Sequence, residues 1–279
     1  FVTVGDADWA GRAARNLKLS WRLQGKQCEG TAWLRSAASG SPGSAAASGL
    51  SIEAAMLGIG CPEQAEWSAS WIRSQAAQSD GEALAMELAR ESYMLDSGDL
   101  LQDTDGSLAL MRLACDVAKT AESWGYGDLV NDLGIRLARA DLSDQAETAF
   151  SRAIDIAERE ENRALKSLAL ANLAELHSRR SDNDVARRLF ALSAELAEAV
   201  GDLDQAIASW AGTTRSDIDG SQTRAAETTK RMVDLASRGV SPQARATTLS
   251  AQATAAYVRG SYAKAFTNWR RAASLASDN

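Results

Sequence analysis

The chain has 279 residues, of which 45% are hydrophobic and 24% are charged. These values lie near the globular average and exclude a chain that is disordered throughout. A net charge of −7 disfavours a nucleic-acid-binding surface, because phosphate binding requires clustered Lys and Arg. Alanine is abundant and only three prolines occur, so the composition favours helix. We find no apolar run of about 18 residues, so we expect no membrane span.

The three cysteines, Cys28, Cys61 and Cys115, are odd in number and far apart in the sequence, and no CxxC occurs. This pattern suggests neither a disulfide framework nor a zinc site. We expect each to be a small buried apolar residue in a reducing cytoplasm. No signal-peptide pattern occurs. Because the sequence begins at Phe1 and not at a methionine, we expect a domain of a longer protein.

Taken in chain order, small anchor residues recur at spacings of 35, 42, 39, 40, 40 and 39 residues. Most are followed by a large or apolar residue four positions later and by a small or apolar residue seven positions later. Offsets of four and seven lie on one helical face, so each copy predicts an amphipathic helix. The anchors are Gly30, Ala65, Ser107, Ala146, Ala186, Ala226 and Ala265.

A second helix is predicted before each anchor. In the fourth copy its apolar face comprises Val130, Leu133, Gly134 and Leu137. Glycines five to nine residues before several anchors, Gly25 and Gly260 among them, are typical of helix C-termini. Asp144 and Glu147 have the spacing of a capping box, which would start the second helix of that copy.

The pattern A-x3-F-x2-A at Ala146, Phe150 and Ala153 resembles the tetratricopeptide repeat (TPR). The resemblance implies an all-α, right-handed superhelical solenoid of about seven TPR-like helix-turn-helix repeats, hence about 14 helices. We expect one domain over residues 1–279. Its units are predicted at approximately 11–45, 46–87, 88–126, 127–166, 167–206, 207–245 and 246–279.

The run WRLQGKQCEGTAWL, from Trp21 to Leu34, is similar to the start of the C-terminal repeat region of actinobacterial STAND-ATPase transcriptional regulators. Those proteins combine an ATPase with repeats and a LuxR-type or SARP-type DNA-binding module, and some relatives carry a cyclase-like domain. The resemblance implies a sensor or scaffold arm whose ATPase lies elsewhere in the full-length chain. GxxxxGK[ST], which would bind phosphates, does not occur in this sequence.

No HExxH, GxSxG or Gly-rich phosphate loop occurs, so we predict no enzyme activity, cofactor or metal. The single histidine, His177, is expected to be packed and structural. Four tryptophans, Trp21, Trp33, Trp210 and Trp269, fall on predicted core positions. Trp67 and Trp71 form either an exposed contact patch or a packing surface, since a spacing of four places them on one helical face.

The resemblance to TPR proteins implies that the first helix of each repeat lines a concave groove. Asparagine can donate and accept towards a peptide backbone, and arginine can bind a carboxylate through two hydrogen bonds. The alternative is that these side chains are merely solvated. The predicted partner contacts are Asn131, Arg139, Asn172, Glu175, Arg179 and Arg215.

Together these features predict a non-catalytic, cytoplasmic domain that binds a protein or peptide, without direct contact to nucleic acid or membrane. We expect it to be the regulatory arm of an ATPase-containing transcriptional regulator. One alternative is a free-standing TPR scaffold that bridges partners. Another is a repeat region attached to a cyclase-like or other signalling enzyme.

Overall fold

A computed structural model describes residues 7–39, 45–76, 81–97, 103–218 and 222–277. These residues form fourteen α-helices and no strand, so the predicted all-α class and helix number are confirmed. The chain divides into two compact units, residues 1–140 (unit 1) and residues 141–279 (unit 2).

Unit 1 contains seven helices. Each of the pairs α1–α2, α3–α4 and α5–α6 is in contact, α1 and α2 both pack on α3, and α7 packs on α6. The helices are α1 (Ala7–Leu23), α2 (Gln27–Ser39), α3 (Ala45–Gly58), α4 (Ala65–Ala76), α5 (Gly81–Ser97), α6 (Thr104–Thr120) and α7 (Tyr126–Arg139).

Unit 2 contains seven more helices. The pairs α9–α10, α11–α12 and α13–α14 are each in contact, α10 also packs on α11, and α8 packs on α9. The helices are α8 (Ser143–Arg159), α9 (Arg163–Arg179), α10 (Asn183–Val200), α11 (Leu203–Ile218), α12 (Gln222–Ala236), α13 (Pro242–Val258) and α14 (Tyr262–Ser277).

The turns between helices place a residue in the left-handed region. Gly25 and Gly260, predicted at helix ends, have φ of 67° and 75°. Glu161 and Ser181 adopt the same conformation at φ of 54° and 65°, although a Cβ makes this region unfavourable. The sequence pattern therefore locates the turns at Gly25 and Gly260, but it gives no signal for the left-handed Gly201 and Gly239 or for Glu161 and Ser181.

The core of unit 2 is built from small and aromatic residues. Phe150 and Phe190 are buried, as the repeat pattern predicts. A Cβ added to Gly212 of α11 would lie 2.6 Å from the ring of Phe190 on α10. Phe190 therefore packs directly on the α11 backbone, and only glycine allows this close approach.

Reciprocal serine pairs join neighbouring helices in both units. In unit 1 the Ser92 hydroxyl donates to the Ser107 carbonyl at 2.7 Å and the Ser107 hydroxyl donates to the Ser92 carbonyl at 3.0 Å. In unit 2 Ser167 and Ser193 exchange the same bonds at 2.9 and 2.7 Å. The small side chains let the two helices approach while both hydroxyls of each pair keep an acceptor.

The predicted capping box at Asp144 is wrong. Helix α8 has Leu142 at its N-cap and no side-chain cap hydrogen bond. Instead, the guanidinium of Arg180 donates to both carboxylates, Asp144 Oδ1 and Glu147 Oε2. Arg180 follows the end of α9, so this contact links two helices rather than starting one.

The prediction that no disulfide forms is also wrong. Cys28 at the start of α2 is bonded to Cys61 in the turn after α3, with the two Cα atoms 5.1 Å apart. The packing of α2 on α3 brings together two cysteines that lie 33 residues apart in sequence. Cys115 is buried, as expected, and its thiol donates to the Leu129 carbonyl at 3.4 Å. Because disulfides persist in oxidising compartments, the cysteines no longer favour a reducing cytoplasm.

Candidate functional site

Three of the predicted partner contacts come together in unit 2. Glu175 and Arg179 lie one turn apart on α9, and Arg215 lies on the adjacent α11. Glu175 Oε2 accepts from an Nη2 of Arg215 at 3.1 Å, and its Oε1 lies 3.9 Å from Nε of Arg179. The side chains of Arg179 and Arg215 are exposed to solvent, and that of Glu175 is 45% exposed. We call these three residues the α9–α11 charge cluster.

The α9–α11 charge cluster carries two guanidinium groups and one carboxylate, so its net charge is positive. Arg215 also lies 5.9 Å from the ring centroid of Phe190, which restrains its orientation through a weak cation–π contact. Asn172, the fourth predicted contact in unit 2, lies one turn before Glu175 on α9 and is half-buried. The α9–α11 surface can therefore present both cationic and amide groups.

The two predicted contacts in unit 1 are placed differently from each other. Arg139, at the end of α7, is exposed and forms an ion pair with Asp96 of α5. Asn131 is 1% exposed, so surrounding protein covers its side chain. A partner could reach Asn131 only after rearrangement of unit 1, whereas Arg139 is accessible.

A buried ionic cluster, Lys18, Arg22, Glu53 and Glu91, lies in unit 1 and was missed by the sequence analysis. The ammonium of Lys18 lies 2.8 Å from Glu53 Oε2 and 2.9 Å from Glu91 Oε2. Arg22 donates to Glu91 Oε1 at 3.3 Å and to the Met56 carbonyl at 3.1 Å. These contacts link α1, α3 and α5.

Burial dominates the electrostatics of this cluster. Desolvation lowers the pKa of Arg22, opposed by the nearby carboxylates of Glu91, Asp103 and Glu53. In unit 1, desolvation also lowers the pKa of the buried Arg136 and raises that of Asp132 one turn before it. Charged side chains are normally exposed, so helical periodicity assigns them to the solvent face and gives no signal for this cluster.

The tryptophans only partly follow the prediction. Trp210 is buried, but Trp33 and Trp269 are 45% and 40% exposed, so their predicted burial is wrong. Trp33 instead lies on the surface with its ring 5.7 Å from that of the half-buried Trp21. Small residues at offset positions mark a helix face correctly but cannot show whether a neighbouring helix covers it.

The sequence allowed either an exposed patch or a packing surface at Trp67 and Trp71. Both side chains are half-buried. Trp67 packs against the apolar core of unit 1, and the guanidinium of Arg35 lies 3.9 Å above its ring. The single histidine, His177, is half-buried, with Nδ1 3.3 Å from Asp182 Oδ2. These side chains have packing roles in the structure.

Packing also accounts for the N-terminal run that resembles the regulator repeats. Gly25 turns the chain between α1 and α2 at φ of 67°. A Cβ on Gly30 would lie 2.4 Å from the ring of Trp21, so the tryptophan of α1 packs on the α2 backbone. Trp21, Gly25 and Gly30 of this run thus set the turn between α1 and α2 and the close packing of the two helices.

Within the described residues no group of three or more His, Cys, Asp or Glu side chains could hold a metal ion. None of the described helices is long and apolar enough to cross a membrane.

Comparison with solved structures identifies the fold. BtubC (BKLC) from P. vanneervenii matches at a TM-score of 0.62 and 14% identity, covering 81% of this chain and 91% of BtubC. A single-residue variant of a Podosopora anserina putative kinesin light chain with nearly identical TPR-like repeats matches at a TM-score of 0.56 and 13% identity, covering 72% and 97%. No family model matches the chain, and no curated protein matches it either. At these identities the likeness shows the fold alone, and that fold is TPR-like.

Proposed function

We propose that this chain is a non-catalytic repeat domain that binds an acidic, extended peptide segment of a partner protein. TPR-like repeat folds generally mediate protein–protein interaction. The observation that carries the proposal is the α9–α11 charge cluster, where a single carboxylate, Glu175, lies between the guanidinium groups of Arg179 and Arg215.

The chemistry of this cluster favours a carboxylate ligand. Exposed ion pairs contribute little stability, about 0–1 kcal/mol, so breaking the Arg215–Glu175 pair costs little. An incoming carboxylate can then bind Arg215 or Arg179 through two parallel hydrogen bonds. Asn172 on the same helix can donate to or accept from the peptide backbone beside it.

The larger role we propose is that of a regulatory arm of an ATPase-containing transcriptional regulator, with the whole chain forming one repeat array. The N-terminal run from Trp21 to Leu34 supports this role through its resemblance to such regulators. A free-standing scaffold is the alternative. Sequencing the complete gene distinguishes them: an upstream nucleotide-binding module supports the regulator, and an isolated reading frame of this length supports the scaffold.

Peptide selection tests the binding site. The full chain is used to select extended peptides from a random display library, and affinities of enriched peptides are measured by fluorescence anisotropy. We expect enrichment of Asp and Glu. Loss of a charge-assisted, two-bond contact should weaken binding by about tenfold or more in the double variant Arg179→Ala with Arg215→Ala.

Two further variants serve as controls for the peptide experiment. Arg163→Ala removes an exposed arginine from the first turn of the same helix, α9, and should leave affinity unchanged. Glu175→Gln removes the competing carboxylate and should strengthen binding of acidic peptides. Enrichment of basic or uncharged peptides would contradict the proposal that the α9–α11 charge cluster binds acidic peptides. Equal peptide affinity of the wild type and the double variant would contradict it too.

Calorimetry with ATP and Mg²⁺ tests the non-catalytic part of the proposal. We expect no heat of binding from the isolated chain, because no phosphate-binding loop occurs in its sequence. A saturable binding curve at micromolar concentrations would contradict it.

A further inference from the structure

The last helix of unit 2 exposes a stripe of large apolar side chains. Tyr262, Phe266 and Trp269, spaced by four and three residues, lie on one face of α14, and all are exposed, Phe266 by 67%. Ala273 and Ala276 continue the same face and are also exposed. We call these five residues the α14 face.

In α10, the equivalent face is covered from Phe190 onwards, whereas Asn183 in its first turn is exposed. The repeat anchors Ala186 and Ala265 align Phe190 with Trp269, Ala194 with Ala273 and Ala197 with Ala276. Phe190 is 4% exposed against 40% for Trp269, and Ala194 and Ala197 are fully buried. Helix α11 provides this cover, with the Gly212 backbone against the Phe190 ring. The shape of the α14 face therefore suits a helix with small residues at its contact points.

The α14 face is also more apolar than its counterpart. Tyr262 and Phe266 stand where α10 has Asn183 and Arg187. Tyr257 at the end of α13 extends the patch, since its ring lies 5.4 Å from that of Tyr262 and 5.8 Å from that of Trp269. Contiguous exposed apolar patches of this kind mark interaction sites on soluble proteins.

Helices α13 and α14 carry charge of one sign. Residues 242–277 contain five basic residues and no Asp or Glu, although the whole chain has a net charge of −7. The basic residues are Arg245, Arg259, Lys264, Arg270 and Arg271. A partner that covers the aromatic side chains meets positive potential, and complementary charge accelerates association and selects partners.

We propose that the α14 face docks an acidic amphipathic helix of a partner protein, in the position relative to α14 that α11 takes relative to α10. Small residues of the docked helix lie against Trp269 and Phe266, and its acidic residues meet Arg270 and Lys264. This surface is separate from the α9–α11 charge cluster and does not depend on it.

A protein helix fits the patch better than a nucleic acid does. Single-stranded nucleic acids bind by stacking successive bases on separately accessible aromatic rings. Here the rings of Tyr257, Tyr262 and Trp269 contact one another at tilted and edge-on angles, so they form a continuous apolar surface rather than separate stacking platforms. Membrane binding is an outcome that the experiment distinguishes.

The experiment titrates the full chain into a fluorescein-labelled helical peptide with the sequence of residues 203–218, the segment that covers α10. Since an isolated helix of this length is only marginally stable, the peptide is stapled on its solvent side. One version keeps Arg215, and a second carries Arg215→Glu. We expect saturable binding that is tighter for the second version and that weakens with salt.

Variants of the chain locate the binding surface. Phe266→Ser should weaken binding by about tenfold, as for a central aromatic contact, and Arg270→Glu with Lys264→Glu should remove the preference for the acidic peptide. Trp124→Ser, which removes a side chain that is 81% exposed in unit 1, should have no effect. The double variant Arg179→Ala with Arg215→Ala should bind the peptide like the wild type.

Several results would overturn the proposal. These are absence of peptide binding, equal affinity for the wild type and Phe266→Ser, and equal binding of the Arg215 and Arg215→Glu versions of the peptide. Parallel titrations with single-stranded DNA and with vesicles of anionic phospholipid complete the test. Binding to either of these that depends on Phe266, without peptide binding, assigns the α14 face to nucleic acid or membrane instead.

Discussion

The two units contrast in how they fill their interiors. Among the described residues, five charged side chains are buried, Lys18, Arg22, Glu53, Glu91 and Arg136, and all five lie in unit 1. The buried polar side chains described in unit 2 are Ser, Thr and Asn, which carry no charge. Both units nevertheless use the same kind of helix pair, so the repeat architecture tolerates two kinds of core.

The serine pairs show the contrast at atomic detail. In unit 1 the Ser92–Ser107 pair accepts from Nε of Arg136, at 2.8 Å from Ser92 Oγ and 3.3 Å from Ser107 Oγ. In unit 2 the Ser167–Ser193 pair is joined by the hydroxyl of Ser209, 2.8 Å from Ser193 Oγ. Ion pairs and guanidinium contacts accept few alternative partners, because an unpaired buried charge is costly. The buried charges of unit 1 thus restrict its helix packing in a way that the uncharged interior described for unit 2 does not.

The largest expected effect is on the ionic cluster of unit 1. Glu91→Ala removes the carboxylate shared by Lys18 and Arg22 and should destabilise unit 1 by about 3–5 kcal/mol, because both cations lose a buried partner. Urea unfolding combined with hydrogen exchange, measured separately for peptides of the two units, checks this. Glu87→Ala on the same helix removes an exposed pair with Arg90 and should cost less than about 1 kcal/mol. Equal effects of the two substitutions would show that the buried cluster has no special role.

Reduction of the disulfide should affect unit 1 alone. The Cys28–Cys61 bond closes a loop with a sequence separation of 33 residues, and its loss should cost about 3–4 kcal/mol by the chain-entropy relation. Hydrogen exchange with and without a thiol reductant measures the effect. Unit 2 serves as the internal control because all three cysteines precede residue 140. Faster hydrogen exchange in unit 2 on reduction would contradict the division of the chain into two units.

Phe190→Ala should destabilise unit 2 by about 3 kcal/mol, towards the lower end for core aromatics. The substitution leaves a cavity over Gly212, against which the ring packs. Thermal unfolding gives the change in midpoint. The matched substitution is Leu192→Ala, which alters an exposed side chain on the same helix and should change stability by about 0.5 kcal/mol or less. An unchanged midpoint for Phe190→Ala would be inconsistent with its burial.

The smallest expected effect concerns a turn in unit 2. Glu161→Gly should stabilise the protein by about 0.5–1 kcal/mol, because glycine adopts the left-handed conformation at φ of 54° without strain from a Cβ. Glu160→Gly, one residue earlier at φ of −90°, should destabilise it by a similar amount. Chemical unfolding of both variants measures the difference, and the same sign for both would exclude the backbone explanation.

The repeat pattern predicted the fold well because small and aromatic residues at fixed offsets reflect helix packing directly. It placed Phe150 and Phe190 in the core, and both are buried. It failed for features that depend on side chains far apart in sequence, such as the Cys28–Cys61 bond and the ionic cluster of Lys18 and Glu91. The repeat pattern did not predict the serine pairs either, because the paired serines occupy different repeat positions. Ser107 lies at a repeat anchor, whereas Ser193 lies seven residues after one.

The candidate site was predictable only in part, for the same reason. Spacing along α9 placed Glu175 and Arg179 on one face, but the contact with Arg215 depends on how α11 packs on α9. Asn131 illustrates the limit: its position predicts a groove contact, yet neighbouring side chains cover it. Helical periodicity gives the direction of a side chain, whereas its accessibility is decided by the next helix.

The reciprocal serine pairs have a consequence for how a helix pair responds to mechanical force. Apolar helices can slide past each other in small steps, because dispersion contacts have little directionality. Ser167 and Ser193 each donate to the other's carbonyl, and sliding by one residue, about 1.5 Å along the axis, breaks both bonds together. A helix pair joined in this way should resist shear up to a threshold and then separate abruptly.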